Sequence, residues 1–121
     1  MFETMSLGEL IAALQRKDQE AEVRLDFAYY RPSGWLHSYR GIYEQLALDY
    51  DDKTEITVGQ LVAKLKDAIG KTFHGWKGGE YTMDEDTPVW VDKDRDASST
   101  AIVDVETTGW CVTIRTKRVS V

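Results

Sequence analysis

Two helix starts of the same design constrain what this chain can fold into. Ser6–Leu14 and Thr57–Leu65 match position by position, each with Ser or Thr first and Glu9 or Gln60 three residues later. That spacing predicts a capping box, in which the two side chains bond backbone N–H groups at a helix N-terminus. Leucine and β-branched residues then recur at helical spacing, so each helix has one apolar face. We interpret the match as two helices that pack on one sheet in the same way; an old half-domain duplication is the alternative.

Most other segments alternate between apolar and polar residues, as strands do. Glu22–Tyr30 predicts a strand, with further strands expected around 43–50 and 88–91 and a hairpin formed by 100–106 and 110–116. The order of elements predicts an α+β fold with a single antiparallel β-sheet and two helices packed on one face. The residues expected to point inward from these strands are Val23, Leu25, Phe27, Tyr29, Leu46, Leu48, Ala101, Val103, Val105, Trp110, Val112 and Ile114.

Length and composition set the general class. A chain of 121 residues suits a single domain spanning 1–121. Its one cysteine, Cys111, cannot form an internal disulfide, and its start lacks the basic and apolar runs of a signal peptide, so we expect a cytoplasmic protein. We expect no membrane partner, because no apolar stretch approaches the roughly 20 residues of a membrane span. The net charge of −6 argues against duplex nucleic acid as the main partner.

Two short motifs resemble known sites but lack required residues. Gly70-Lys71-Thr72 looks like the end of a phosphate-binding loop, yet Leu65 stands where that loop needs glycine. We interpret Gly70 as a helix C-terminus followed by a strand. Asp92–Asp96 has the carboxylate spacing of a calcium loop, but Ala97 and Val103 replace its glycine and glutamate, which favours a solvated charged loop. Neither histidine has ligand spacing with a cysteine or carboxylate, so no metal or cofactor is expected, and no catalytic residue is assigned.

Two irregular segments carry candidate binding residues. Tyr39 and Arg40 lie in a predicted loop that follows Pro32–Gly34, next to a glycine that permits close backbone approach. Lys77, Gly78, Gly79 and Tyr81 follow Trp76 in a second such segment, where aromatic rings, glycines and a cation suit a stacked base with a phosphate beside it. The structural alternatives are an inward-packed tyrosine with a surface ion pair in the first segment, and a wide hairpin turn covering a sheet edge in the second.

A third candidate group comes from strand alternation. Val89 and Val91 are expected to face the core, which turns Trp90 to the other side of the sheet. By the same alternation Arg115 and Lys117 oppose the apolar face of their strand. An exposed tryptophan and two cations are therefore expected on the helix-free face, where they could bind an anionic ring compound or a second subunit.

Several short motifs occur together in one order and carry a resemblance: Ser38–Gly41, Leu46–Leu48, Gly70–Phe73, Gly75–Glu80 and Asp86–Val91. In this order they resemble a family of small phage-encoded proteins, and more narrowly the anti-Thoeris proteins, which act as sponges for cyclic ADP-ribose isomers. The resemblance implies a homo-oligomer that binds without catalysis, through a pocket of aromatic residues and arginines. The matched motif positions in this chain are Tyr39, Arg40, Lys77, Tyr81 and Trp90.

The expected function is a non-enzymatic phage anti-defence protein that sequesters a small anionic nucleotide second messenger, either a cyclic ADP-ribose isomer or a cyclic oligonucleotide. In the expected mechanism an aromatic ring stacks on the base, cations neutralise the phosphates, and a glycine backbone offers N–H groups. The residues assigned to these roles are Tyr81 or Trp90 for stacking, Arg40, Lys77 and Arg115 for charge, and Gly78-Gly79 for N–H groups. One alternative is an acidic phage inhibitor that blocks a host protein through Asp84–Asp86 and Asp92–Asp96. A small nucleotide hydrolase is the other.

Overall fold

The computed structural model describes residues 4–41, 43–91 and 99–119. Within these residues the chain forms two α-helices, eight strands and one short 3-10 turn, Tyr39–Gly41, after β2. The helices and strands are α1 Leu7–Gln15, β1 Glu22–Leu25, β2 Arg31–Ser38, β3 Leu46–Asp51, α2 Val58–Ala68, β4 Thr72–His74, β5 Glu80–Thr82, β6 Val89–Val91, β7 Ser99–Thr108 and β8 Cys111–Val119. The predicted charged loop Asp92–Asp96 lies outside the described residues.

Both predicted capping boxes are confirmed. The Ser6 hydroxyl accepts from the Glu9 N–H and the Glu9 carboxylate accepts from the Ser6 N–H; Thr57 and Gln60 make the equivalent pair in α2. After α2, Gly70 takes a φ of +79°, the left-handed conformation that suits a helix C-terminus, and β4 follows as expected. In the described part of the chain neither helix has the length and hydropathy to cross a bilayer.

The main sheet is mixed, which corrects the prediction of a single antiparallel sheet. Its six strands run in the order β1-β8-β7-β6-β3-β2, and β4 pairs with β5 in a separate two-stranded ribbon. The β1–β8 and β3–β6 pairs are parallel, whereas the other neighbours in the main sheet are antiparallel. Parallel neighbours need long connections, and the segment between β3 and β6 holds all of α2 and the ribbon.

One hydrophobic core joins both helices to one face of the main sheet, as predicted. The apolar faces of α1 and α2 meet strand residues that include Val23, Leu46 and Ile114. A second, smaller cluster lies on the other face and consists of Tyr39, Ala47, Trp90 and Ala101. The sheet therefore has a helix-covered face and a helix-free face, and Trp90 belongs to the latter.

Three local predictions were wrong. The first strand ends at Leu25, because the chain turns through Ala28 at a φ of +48°, which leaves Tyr29 exposed. The first part of the predicted loop after Pro32–Gly34, residues 35–38, belongs to β2, where the pairing register is irregular. In the hairpin, a register shift places Val103 as an extra, exposed residue, so Ala101 and Val105 face opposite sides. Trp110 lies at the hairpin turn and is 96% exposed.

The main sheet curls towards the helices. Its two edge strands, β1 and β2, are joined by only residues 26–30, so the edges lie close together. Leu25 N–H donates to the Tyr30 carbonyl at 3.0 Å across this connection. Phe27 and Tyr30 from the same connection pack against the helix-side core. The helix-covered face is therefore the concave face.

Candidate functional site

The segment that follows β2 presents two of the predicted site residues. Arg40 adopts a φ of +55°, and its guanidinium carbon lies 5.2 Å from the centre of the Tyr39 ring. Tyr39 packs inward over the helix-free face, where its ring stacks on Trp90 at 5.4 Å with an angle of 17°. Its hydroxyl hydrogen-bonds the hydroxyl of Ser99. The inward-packed alternative therefore describes Tyr39, while Arg40 stays beside it at the surface.

Four of the predicted site residues lie in the β4–β5 ribbon. Its turn is closed by two backbone bonds, Gly75 N–H to Gly79 O at 2.9 Å and Gly78 N–H to Gly75 O at 2.8 Å. Gly78 and Gly79 have φ values of +113° and +91°, a backbone region that L side chains rarely adopt. The Tyr81 ring packs against the turn, since a Cβ at Gly79 would fall 2.5 Å from the Tyr81 hydroxyl oxygen. Tyr81 therefore supports the turn.

The ribbon turn docks directly on the Tyr39–Gly41 segment. Lys77 N–H donates to the Gly41 carbonyl at 3.1 Å. The Trp76 indole covers Gly41 so closely that a Cβ there would fall 2.5 Å from Nε1, and a Cβ on Gly75 would fall 2.5 Å from the Gly41 oxygen. Two segments more than thirty residues apart in sequence are thus held together, because glycine occupies both contact positions.

This docking assembles an aromatic and cationic surface, which we call the turn surface. It comprises Arg40, Tyr43, Trp76 and Lys77 with the backbone of Gly78-Gly79. Trp76 is 52% exposed and Tyr43 is 43% exposed, so both offer ring area to a ligand. The Lys77 ammonium lies 4.9 Å from the centre of the Trp76 ring. A cation beside an exposed indole suits a ligand that combines a flat ring with negative charge.

Trp90 occupies the predicted face but is not exposed. Only 7% of its surface is accessible, because Tyr39 covers the ring. Its indole N–H donates to the Gln45 side-chain oxygen at 2.7 Å. The expectation of an exposed tryptophan was therefore wrong: alternation gave the face, and a neighbouring loop supplied the cover.

The two cations of the last strand share that face, as expected from alternation. Lys117 pairs in register with Ala101, which pairs in register with Trp90, and cross-strand partners point to the same side of a sheet. Lys117 is exposed. Arg115 is half-exposed and is bound to Glu106, with Nε donating to Oε1 at 2.6 Å. Arg115 thus belongs to an ion pair at the surface.

Two residues of the turn surface were not assigned to the site from sequence. Trp76 belongs to the predicted aromatic and glycine-rich segment but has no assigned role there, although an aromatic between Gly75 and the Gly78-Gly79 pair is the available signal. Tyr43 was placed at the start of a strand, and in the structure it precedes β3 and packs its ring 6.0 Å from Tyr39. Nothing in the local pattern separates such a tyrosine from a strand residue.

The remaining polar candidates lie elsewhere. Asp84, Glu85 and Asp86 are exposed in the turn before β6, where the Asp84 carboxylate accepts from the Asp86 N–H at 2.8 Å. In residues 4–41, 43–91 and 99–119, no three side chains of His, Cys, Asp or Glu gather closely enough to hold a metal ion. His74 contacts Glu80 at 3.5 Å on the ribbon.

Comparisons of the chain with protein families, with curated proteins and with solved structures gave no match.

Proposed function

We propose that the turn surface binds a small anionic nucleotide and holds it without chemical change. The ligand class is a cyclic ADP-ribose isomer or a cyclic oligonucleotide, and the biological role is that of a phage-encoded protein that sequesters a host immune signal. The observation that carries the proposal is the exposed Trp76 ring, with the Lys77 ammonium 4.9 Å away and Arg40 on the adjoining segment.

The proposal assigns base stacking to Trp76. Its ring is half-exposed, whereas Trp90 is covered by Tyr39 and Tyr81 fills the ribbon turn. Stacking of a base on an aromatic side chain contributes about 1–3 kcal/mol per base. Trp90 and Tyr81 then act indirectly, by supporting the two segments that form the surface.

The charge partners are Arg40 and Lys77. Both lie against aromatic rings, Arg40 on Tyr39 and Lys77 on Trp76, so a phosphate and a stacked base would be bound at neighbouring positions. The Gly78 N–H is already used inside the turn, where it donates to Gly75 O. In the described part of the chain the Gly79 N–H meets no acceptor, and we assign to it the backbone contact with the phosphate.

Ligand retention tests this function. The purified protein is incubated with a panel of cyclic dinucleotides, cyclic trinucleotides and cyclic ADP-ribose isomers, freed of unbound ligand, and then heat-denatured, and the released compounds are identified by mass spectrometry. We expect intact nucleotide in the supernatant. Recovery of an altered nucleotide would instead identify a hydrolase. If no member of the panel is retained, the proposed ligand class is wrong.

Matched variants locate the site in the same experiment. Trp76→Leu should abolish retention, whereas Trp110→Leu, which removes an equally polarisable but remote ring at the β7–β8 turn, should not. Lys77→Gln should weaken retention about tenfold, because it removes one charged partner, and Lys117→Gln measures the contribution of the helix-free face. Equal loss in Trp76→Leu and Trp110→Leu would show that the turn surface is not the site.

The proposal includes self-association of the protein. The mass of the ligand-bound species in solution, together with the number of ligands per chain, tests this part of the proposal.

The rival function is a direct inhibitor of a host protein that uses its acidic residues. It predicts that charge reversal of the exposed Asp84–Asp86 turn removes activity in infected cells, whereas Trp76→Leu leaves that activity intact.

A further inference from the structure

A cavity opens on the helix-covered side of the sheet, at the end of β3 that is remote from the turn surface. Its volume is about 380 Å³, and it is lined by Phe27, Tyr50, Thr100, Thr116 and Arg118. Tyr50 stands near the end of β3, whereas the turn surface adjoins the start of that strand. Neither the proposed nucleotide site nor the candidate residues from sequence include any of these five side chains.

One wall of the cavity is aromatic. Phe27 and Tyr50 meet edge to face at 5.5 Å with an angle of 87°, and Tyr30 packs on Tyr50 at 4.8 Å and on Phe27 at 5.7 Å. All three rings are half-buried and lie against the core. Such a cluster gives the wall a fixed shape, because edge-to-face packing restricts the orientation of each ring.

The opposite wall is polar although it belongs to the core side of the sheet. Along β8 the core-side positions change from Val112 and Ile114 to Thr116 and Arg118. Thr100 of β7 pairs in register with Arg118, so both point to the same side. The apolar helix-covered face therefore ends in hydroxyl groups and a guanidinium at the cavity.

A hydrogen-bonded turn holds the two walls in place. Both oxygens of the Asp26 carboxylate bind Thr116: Oδ2 accepts from its N–H at 2.8 Å, and Oδ1 accepts from its hydroxyl at 2.5 Å. Asp26 directly precedes Phe27, so this contact fixes the aromatic wall against β8. Among the described residues that line the cavity, Arg118 is the one with a charged side chain.

We propose that this cavity binds a small aromatic anion, such as an aromatic carboxylate, with its ring against Phe27 and Tyr50 and its charge towards Arg118. The volume falls in the range of about 300–1,000 Å³ found for small-molecule sites, which are typically lined by aromatic residues with a few polar groups. Guanidinium groups are well suited to carboxylates, since they donate two parallel hydrogen bonds. This site is independent of the turn surface and of the proposed nucleotide.

Three naphthalene probes of similar size and different charge test the site by isothermal titration calorimetry: 1-naphthoate, the neutral 1-naphthalenemethanol and the cationic 1-naphthylmethylamine. We expect 1-naphthoate to bind most tightly and the amine most weakly. Arg118→Gln should lower the affinity for 1-naphthoate about tenfold and leave that for the alcohol within about twofold, because only the anion uses the guanidinium.

Lys117→Gln is the matched control, since it removes the same charge from the adjacent residue on the other face of the sheet. It should change neither affinity by more than about twofold. Thr100→Phe, which fills the cavity, should remove binding of all three probes while the cooperative thermal transition is kept. Absence of 1-naphthoate binding, tighter binding of the amine, or equal effects of Arg118→Gln and Lys117→Gln would each overturn the proposal.

Discussion

The Trp76 indole lies directly on the α-carbon of Gly41, so closely that a methyl group at position 41 would fall 2.5 Å from the ring nitrogen. This contact joins the β4–β5 ribbon to the end of β2 and creates the turn surface. It also means that one side chain has two roles, since the face of Trp76 that packs on Gly41 anchors the ribbon while the exposed remainder is available to a ligand.

Gly41→Ala should therefore destabilise the protein and disrupt the turn surface. The φ of +74° costs a non-glycine residue about 1–2 kcal/mol, and displacement of Trp76 adds about 1–3 kcal/mol, as overpacking usually does. Gly70→Ala is the control, because its φ is similar at +79° but no atom of the described residues lies within 4 Å of the new methyl group. Urea unfolding should show a larger loss for Gly41→Ala, and equal losses would contradict the proposed contact.

Trp90→Phe should lower stability by about 2–3 kcal/mol, since it leaves space beneath Tyr39 and removes the donor to Gln45. Trp110→Phe changes the same residue type at a position that is 96% exposed and should stay within about 0.5 kcal/mol of the parent. Thermal unfolding of the two variants makes the comparison. A Trp90→Phe protein as stable as the parent would show that the Tyr39–Trp90 stack contributes little.

Asp26→Ala should cost about 1–3 kcal/mol, because it removes both acceptors of Thr116 and leaves a backbone N–H without its partner. Asp26→Asn keeps one acceptor oxygen and should recover part of the loss. Chemical denaturation measures both. The order parent, Asn, Ala is the expected ranking of stability, and an Ala variant equal to the parent would argue against the link between the β1–β2 connection and β8.

Ser6→Ala and Thr57→Ala should each cost about 1 kcal/mol through loss of a helix N-cap. Ser6→Asp is a control that keeps a capping oxygen and should remain within a few tenths of a kcal/mol of the parent. Unfolding midpoints in urea provide the measurement. If Ser6→Asp loses as much as Ser6→Ala, the contribution of Ser6 does not come from capping.

The parts of the fold that were predicted correctly depend on neighbours in sequence. The capping boxes at Ser6 and Thr57, the inward positions Leu46 and Leu48, and the short strand at Val89–Val91 all follow from spacings of four residues or fewer. The error in the topology of the sheet lies where the choice of partner is remote. The parallel pairings of β1 with β8 and of β3 with β6 join segments that carry no local mark of their partner.

The candidate site also combines residues that local sequence predicts with contacts that depend on remote segments. Arg40, Lys77, Gly78 and Gly79 were selected from composition, and the structure brings their two segments together through Gly41 and Trp76. Trp90 was assigned to the right face, but the Tyr39 ring that buries it comes from another segment. Alternation fixes the direction of a side chain and does not reveal what covers it.

The sequence by itself determined two capped helices, most of the strands and the glycine-rich aromatic segments, because these depend on backbone conformations and periodicities within a few residues. Only the tertiary structure decided that Trp76 is exposed while Trp90 is covered, that Arg115 binds Glu106, and that an aromatic cavity forms beside Arg118. The physical reason is that burial and ion pairing depend on which distant segments the curled sheet brings into contact. Local propensity carries no information about that choice.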